Sequence, residues 1–395
     1  MIIDKILDFL LIRVLLKFKK KVVIDVFNKQ DVLYKRALLY YKTDCLFSKR
    51  LLENSPHTND FEIIQIINTL DKLDFIVDVI DRSAVLSQIE FLRGFQYKLI
   101  ISNCGGNSSP LHSEISNSFQ YEHLLAYAMG PEPILSIQLV KQRHLEFEQR
   151  TGVIPVVRRL VNGSASELES RFEKSSAIIV NSRTFSFESY KKYNKPIYYV
   201  PSIVNEDIVF NQKSINSKSF LYFGGNGLIC KGLDIVLEAF DGMSDLELHV
   251  CGPDTEEDFW GYYQPLLNRN PQIKYHGFVK VGSDKFYNIM NKVTFNVFTS
   301  AAEGLATSVL TTMRMGVIPV INYESGVPID GFGYSISEEQ SKPKELRKLL
   351  VDLSQINNNK LERKSILTHK ASMEFCQDNF KNRLIDAIQQ LTNKG

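Results

Sequence analysis

"TSAAEGLATSVLTTMRMGVIPVI", residues 299 to 321, reads as the end of one strand, an exposed turn, a short helix and a second strand. Glu303 stands alone among small residues in the turn, and Thr307, Ser308, Thr311 and Thr312 fall on the first turns of the helix. Strands alternating with helices in this way build a parallel sheet covered on both faces. Upstream the same alternation runs through "SFLYFGGNG", the helix "GLDIVLEAF", the strand "LELHVCG", a helical stretch around "FWGYYQPLLNR", the strand "IKYHGFV", the helix "DKFYNIMNK" and the strand "TFNVFTS". A polar, aperiodic stretch at 203–217 precedes this series and reads as a linker.

Ahead of the linker lies a second alternating series. "RALLYYKTD" (36–44) is a strand running into a loop, "FEIIQIINTLDKL" has apolar residues at helical spacing, and "DFIVDVIDRS" is another strand. "YKLIISNCGG" (97–106), a mostly helical middle, "SAIIVNS" (176–182) and "KPIYYVPS" (195–202) follow. The chain of 395 residues exceeds the length at which one core usually stops growing, which points to two domains of roughly 150 to 200 residues. The expected fold is α/β, with two Rossmann-like doubly wound domains facing a cleft. The division is an N-terminal amphipathic segment at 1–30, a first domain at 31–202, a second at 203–365, and a helical end at 366–395 that packs back on the first.

Composition narrows the partners. With 44% hydrophobic residues, 23% charged residues and a net charge of +2, nothing marks a nucleic-acid binder or a disordered tail. Cys45, Cys104, Cys230, Cys251 and Cys376 are odd in number and never paired as C-x-x-C, which argues against a disulfide framework and a zinc site and fits a reducing cytoplasm. No metal or other cofactor is expected. "MIIDKILDFLLIRVLLKFKKK" (1–21) is too short and too charged to span a bilayer and has no signal-peptide cleavage pattern. Two placements fit it: an interfacial helix at the inner face of the cell membrane, with Lys17, Lys19, Lys20 and Lys21 near anionic headgroups, or a helix packed on protein.

Ligands of open parallel sheets bind at the carboxyl ends of the strands, so the loops there are the candidate sites. In "FGGNGLICKG" (223–232), Gly224, Gly225, Asn226 and Gly227 let backbone amides approach an anion that Lys231 neutralises. The spacing is neither a Walker loop nor G-x-G-x-x-G. "SAAEGLATSVL" (300–310) repeats the device: the amides of Leu305, Ala306, Thr307 and Ser308 open a helix, Thr307 or Ser308 caps it, and Glu303 accepts hydrogen bonds from a polyhydroxylated group attached to the anion. Gly252, in "CGP", and Phe278, in "YHGFV", end neighbouring strands where main-chain groups can read a base edge. His276 fits either a strand residue or a contact. In the first domain His57, Asn59, Asn103, Gly105 and Gly106 lie in loops that face the cleft.

These residues resemble the two-lobed GT-B glycosyltransferases, specifically the family 4 group of retaining, nucleotide-sugar-dependent enzymes. The resemblance is strongest over 218–330, where "FLYFGG…KGLDIVLEAF", "LHVCG", "IKYHGFV" and "EGLATSVLTTMRMGVIPVI" follow the family's order and spacing. It extends more weakly to "RALLYYKTD", "HTNDFEIIQIINTLDKLDFIVDVID" and "AIIVNSRTFSFESYKKYNKPIYYVPS". It implies a transferase acting without a metal, moving a sugar from a nucleotide-sugar to a glycan or lipid-linked acceptor in cell-surface polysaccharide or lipopolysaccharide synthesis. Glu303 then contacts the donor sugar, Lys231 the diphosphate, and His57 presents or deprotonates the acceptor hydroxyl. Two positions depart from the family pattern. Thr311 stands where a second Glu holds the ribose, and Gly225 is the nearest match to an expected Arg. A degenerate nucleotide-sugar binding protein and a sugar-nucleotide epimerase are the alternatives on the same fold.

Overall fold

The computed structural model describes residues 21–29, 35–43, 46, 58–104 and 111–393. Among the described residues the first lobe is a seven-stranded sheet in the order β1-β3-β2-β4-β5-β6-β7. Its strands are β1 (Val22–Val23), β2 (Lys35–Tyr41), β3 (Phe75–Asp81), β4 (Gln96–Asn103), β5 (Gln120–Ala128), β6 (Ala177–Val180) and β7 (Ile197–Tyr199). All neighbours pair in parallel except β1, which runs antiparallel to β3. Helices α1 (Thr58–Lys72), α2 (Leu86–Ile89), α3 (His112–Ser118), α4 (Pro133–Thr151), α5 (Ala165–Glu173) and α6 (Phe185–Tyr190) connect them. β3 is buried at all seven positions despite Asp78. That carboxylate is matched by the Arg36 guanidinium at 2.7 Å and the Tyr97 hydroxyl at 3.0 Å, which is what makes a buried charge tolerable.

β5 corrects the expectation of a helical middle. "QYEHLLAYA" alternates in exposure at its start and is then buried at five successive positions. It sits between β4 and β6, and a central parallel strand covered on both faces is a continuous apolar run that periodicity cannot tell from a buried helix.

The second lobe is a six-stranded parallel sheet in the order β10-β9-β8-β11-β12-β13. Its strands are β8 (Ser219–Phe223), β9 (Glu247–Cys251), β10 (Ile273–Tyr275), β11 (Phe295–Phe298), β12 (Ile318–Asn322) and β13 (Tyr334–Ile336). Helices α7 (Leu233–Phe240), α8 (Glu257–Arg269), α9 (Asp284–Met290), α10 (Thr307–Arg314), α11 (Pro343–Ser354), α12 (Asn358–Ser372) and α13 (Gln377–Thr392) complete the chain. Counted within the lobe, the strand order is 3-2-1-4-5-6, whose topological switch point falls between β8 and β11. The glycine-rich loop follows β8 and the Glu303 loop follows β11, so the switch point brings together the two loops that the sequence singled out.

α13 and α4 both tie the lobes. α13 inserts Phe380, Leu384, Ile388 and Leu391 into the first-lobe core beside α1. α4 begins with the Glu132 side chain accepting from the Leu135 amide at 2.9 Å and Pro133 in its first turn, and stops at Gly152, whose φ is 70°. Along the way it leans on the second lobe. Phe147 joins that lobe's core against Tyr262 and Tyr263, Arg150 pairs with Asp234 at 2.6 Å and with Glu238 at 2.9 Å, and Arg143 Nη1 donates to Thr299 O at 2.9 Å.

Candidate functional site

β11 ends at Phe298, and the chain turns through 299–306 before α10 begins. The Glu303 amide donates to Glu324 O at 3.0 Å, which fixes the turn. Two cations converge on a single carboxylate oxygen: Lys231 Nζ reaches Glu303 Oε1 at 2.5 Å, and Arg159 Nη1 bonds the same atom. Oε2 takes no protein partner among the described residues. Burial by itself raises the Glu303 carboxyl, but the charges and hydrogen bonds of Arg159 and Lys231 outweigh it and hold the group at about 2. Lys231 is held below the usual lysine range by burial and then by the neighbouring Arg159 charge, with Glu303 opposing both.

Arg159 carried no signal in the sequence. It lies in the connection between α4 and α5, on the first-lobe side of the chain, and meets Glu303 only because the lobes close on each other. The closure is tight. A methyl group at Gly304 would strike Met129 O and the Cα of Gly130, 2.7 Å away, and Ser186 Oγ donates to Gly304 O at 3.1 Å. Ser182 Oγ donates to Gly326 O at 2.6 Å. A cavity of about 290 Å³ remains between the lobes, lined by Gly130, Ser136, Arg159, Cys230, Glu303 and Gly304 among others. A larger one of about 510 Å³ lies between α4 and the ends of β11 and β12, with Arg143, Glu146, Ser300 and Glu324 on its wall.

The anion cradles are narrower than the sequence suggested. In the glycine loop the amides of Gly227 and Leu228 are already taken by the buried Glu256 carboxylate, at 2.5 Å and 3.2 Å. The Gly224 amide donates to Cys251 O at 3.0 Å. Those of Gly225 and Asn226 have no protein acceptor among the described residues. At α10 the Ala306 amide donates to Ser325 O at 2.9 Å, so among the described residues the amides of Leu305, Thr307 and Ser308 are the open ones. Neither Thr307 nor Ser308 caps the helix: Ala306 is the N-cap and makes no side-chain cap bond. Ser308 Oγ is buried and has no partner among the described residues. Thr311 Oγ1 donates to Thr307 O at 2.8 Å, so its one proton is committed to its own helix.

The remaining candidates separate. Gly252 closes against Gly277 O through its amide at 3.1 Å and accepts from the Tyr275 hydroxyl at 3.2 Å. Phe278 is 63% exposed just beyond β10. His276 Nε2 lies 2.9 Å from His249 Nδ1 with the rings stacked, a pairing within the sheet. Asn103 ends β4 and is buried, and Asn59 lies in the first turn of α1. His57, Gly105, Gly106 and residues 1–20 lie outside the described residues. Among the described residues no helix is long and apolar enough to cross a membrane.

No protein-family profile matches the sequence, and no curated protein matches it. Solved structures do. A sucrose-phosphate synthase from Thermosynechococcus elongatus superimposes with a TM-score of 0.63 at 12% identity, over 91% of this chain and 100% of that one. HepE of Anabaena, solved with UDP, gives 0.59 at 13% identity, over 90% of this chain and 100% of that one. The lipopolysaccharide outer core galactosyltransferase WaaB gives 0.58 at 11% identity, over 90% and 99%. The fold is GT-B. In that GT-B frame Glu303 and Lys231 stand at the switch point of the second lobe, and the 290 Å³ cavity is part of the interlobe cleft.

Proposed function

We propose that this GT-B chain is a glycosyltransferase that moves a sugar from a nucleotide-diphosphate donor to a hydroxyl of a glycan or lipid-linked acceptor. The observation that carries the reading is Glu303 and Lys231 in contact beside the open N-terminus of α10, at the β8/β11 switch point. Lys231, the amides of Gly225 and Asn226 and those of Leu305, Thr307 and Ser308 stabilise the charge that develops on the departing diphosphate. Glu303, fully ionised at neutral pH, accepts hydrogen bonds from sugar hydroxyls through Oε2.

In the transfer the acceptor oxygen bonds to the anomeric carbon as the bond from that carbon to the diphosphate oxygen breaks. Retention by attack on the departing face is the course that the family resemblance implies, and the acceptor proton leaves to His57 where that group is the base, or otherwise to the departing diphosphate. His57 as an acceptor-side group, action without a metal, and a place in surface-polysaccharide or lipopolysaccharide assembly belong to the same proposal. So does contact of residues 1–21 with an anionic membrane face.

The test is transfer from a panel of nucleotide-sugars, UDP-sugars first because HepE is solved with UDP, to glycan and lipid-linked acceptors. Lys231→Ala and Glu303→Ala should each lower the rate by about 100-fold or more. Full activity in either variant would overturn the site. A second reading, a nucleotide-sugar binding protein without turnover, is favoured by the bond of the Thr311 hydroxyl to Thr307 O. Tight donor binding with neither transfer nor hydrolysis across the whole panel would establish it.

A further inference from the structure

We propose that Arg159, presented by the first lobe, is a ligand of the donor diphosphate, so that the phosphate site is assembled from both lobes and is complete only when they are closed. The proposal rests on the donor-site reading above.

Four observations support it. Arg159 and Lys231 share Glu303 Oε1, so two cations face one carboxylate and leave a positive charge unbalanced in the interlobe cavity. A diphosphate, with more than one negative charge and several acceptor oxygens, satisfies both cations where a single carboxylate oxygen does not. The Arg159 side chain also lies directly on the glycine loop: any side chain at Gly227 would occupy the space of its Cγ and Cδ. The loop that approaches the anion is thus the one on which the aliphatic stem of Arg159 rests.

The backbone supplies the third observation. Arg159 has φ of 62°, in the left-handed region that a non-glycine residue seldom occupies. Such strain is held only where the surroundings over-determine it. Fourth, the residue before it is pinned to the second lobe twice: Cys230 Sγ donates to Arg158 O at 3.3 Å, and the Arg158 guanidinium bonds Asp258 at 2.6 Å. With 36% of its side chain exposed, Arg159 is free to turn from Glu303 to an incoming anion. A planar guanidinium can then take two diphosphate oxygens at once, and Glu303 is released to the sugar hydroxyls. On Arg159 and Lys231, Glu303 Oε1 holds the place that a diphosphate oxygen takes.

The experiment measures binding of pyrophosphate and of UDP by titration calorimetry to the full chain, its Lys231→Ala and Arg159→Ala variants, and the double variant Arg159→Ala/Gly225→Arg. Loss of one charge-assisted contact should weaken both ligands about 10-fold or more in each single variant. The double variant should recover most of the loss, because Gly225 lies on the same loop with nothing within 4 Å of an added Cβ. Weakening by Lys231→Ala with wild-type binding by Arg159→Ala would overturn the proposal and leave the donor site standing. Absence of binding of both probes to the wild-type chain would overturn the donor site and the proposal together. Should Arg159→Ala not fold, Arg159→Gln keeps a hydrogen bond to Glu303 without the charge. A lowered melting temperature with unchanged affinity in that variant would show that Arg159 only steadies Glu303.

Discussion

Glu256 accepts the amide of Leu228 at 3.2 Å through each of its carboxylate oxygens, and one of them also takes the amide of Gly227. A carboxylate 2% exposed therefore occupies part of the glycine loop that would otherwise offer its amides to a ligand. It sets the shape of the loop and leaves the amides of Gly225 and Asn226 there for the phosphate proposed above. Glu256→Ala leaves two buried amides unpaired and should cost about 2 to 4 kcal/mol of stability. A melting curve checks this, and an unchanged melting temperature would show that the loop does not depend on Glu256.

Acid should expose the Glu303 cluster. Its folded pKa, about 2, is depressed below the ordinary carboxylate value. Its contribution is therefore fully present above pH about 4.5 and is lost as pH falls toward about 2. The amount at stake is on the order of 3 kcal/mol. Denaturant unfolding of wild type and Glu303→Gln between pH 6 and 2.5, on a scale of about a pH unit per step, should show curves that converge toward acid. Parallel curves would mean that Arg159 and Lys231 do not hold the carboxylate in solution.

Thr311 offers a gain-of-function test. Its hydroxyl proton is spent on Thr307 O, whereas a carboxylate at that place could accept from both ribose hydroxyls. Thr311→Glu should tighten binding of a nucleoside diphosphate by about 10-fold, measured by calorimetry. Unchanged affinity would place the ribose elsewhere.

Closure of the lobes depends on Gly304. A methyl group there meets the backbone of Met129 and Gly130, and backbone cannot move aside as the end of a side chain can. Gly304→Ala should leave each lobe folded but hold the lobes apart, lowering transfer by about 100-fold through misplacement of the reacting groups. Small-angle scattering would report a larger radius of gyration. An unchanged radius with full activity would show that the contact is dispensable.

Sequence alone determined the alternation of strands and helices, the two loops after β8 and β11, and Glu303 and Lys231 within them, because period, glycine content and an isolated charge are local properties of the chain. Sequence reasoning lost β5, since "LLAYA" is apolar at every position and only its place between β4 and β6 makes it a strand. It also lost Glu256 and Arg159. Glu256 precedes α8 and looks like any helix-start acid, and Arg159 sits in an aperiodic connection 144 residues from the carboxylate it meets. Which amides remain open followed only from contacts within the folded second lobe, where Glu256, Cys251 and Ser325 take their share, and which cation stands opposite Lys231 followed only from the closure of one lobe on the other. Electrostatic pairing acts through space over a few ångströms, and no pattern along the chain records which distant residues folding will bring within that range.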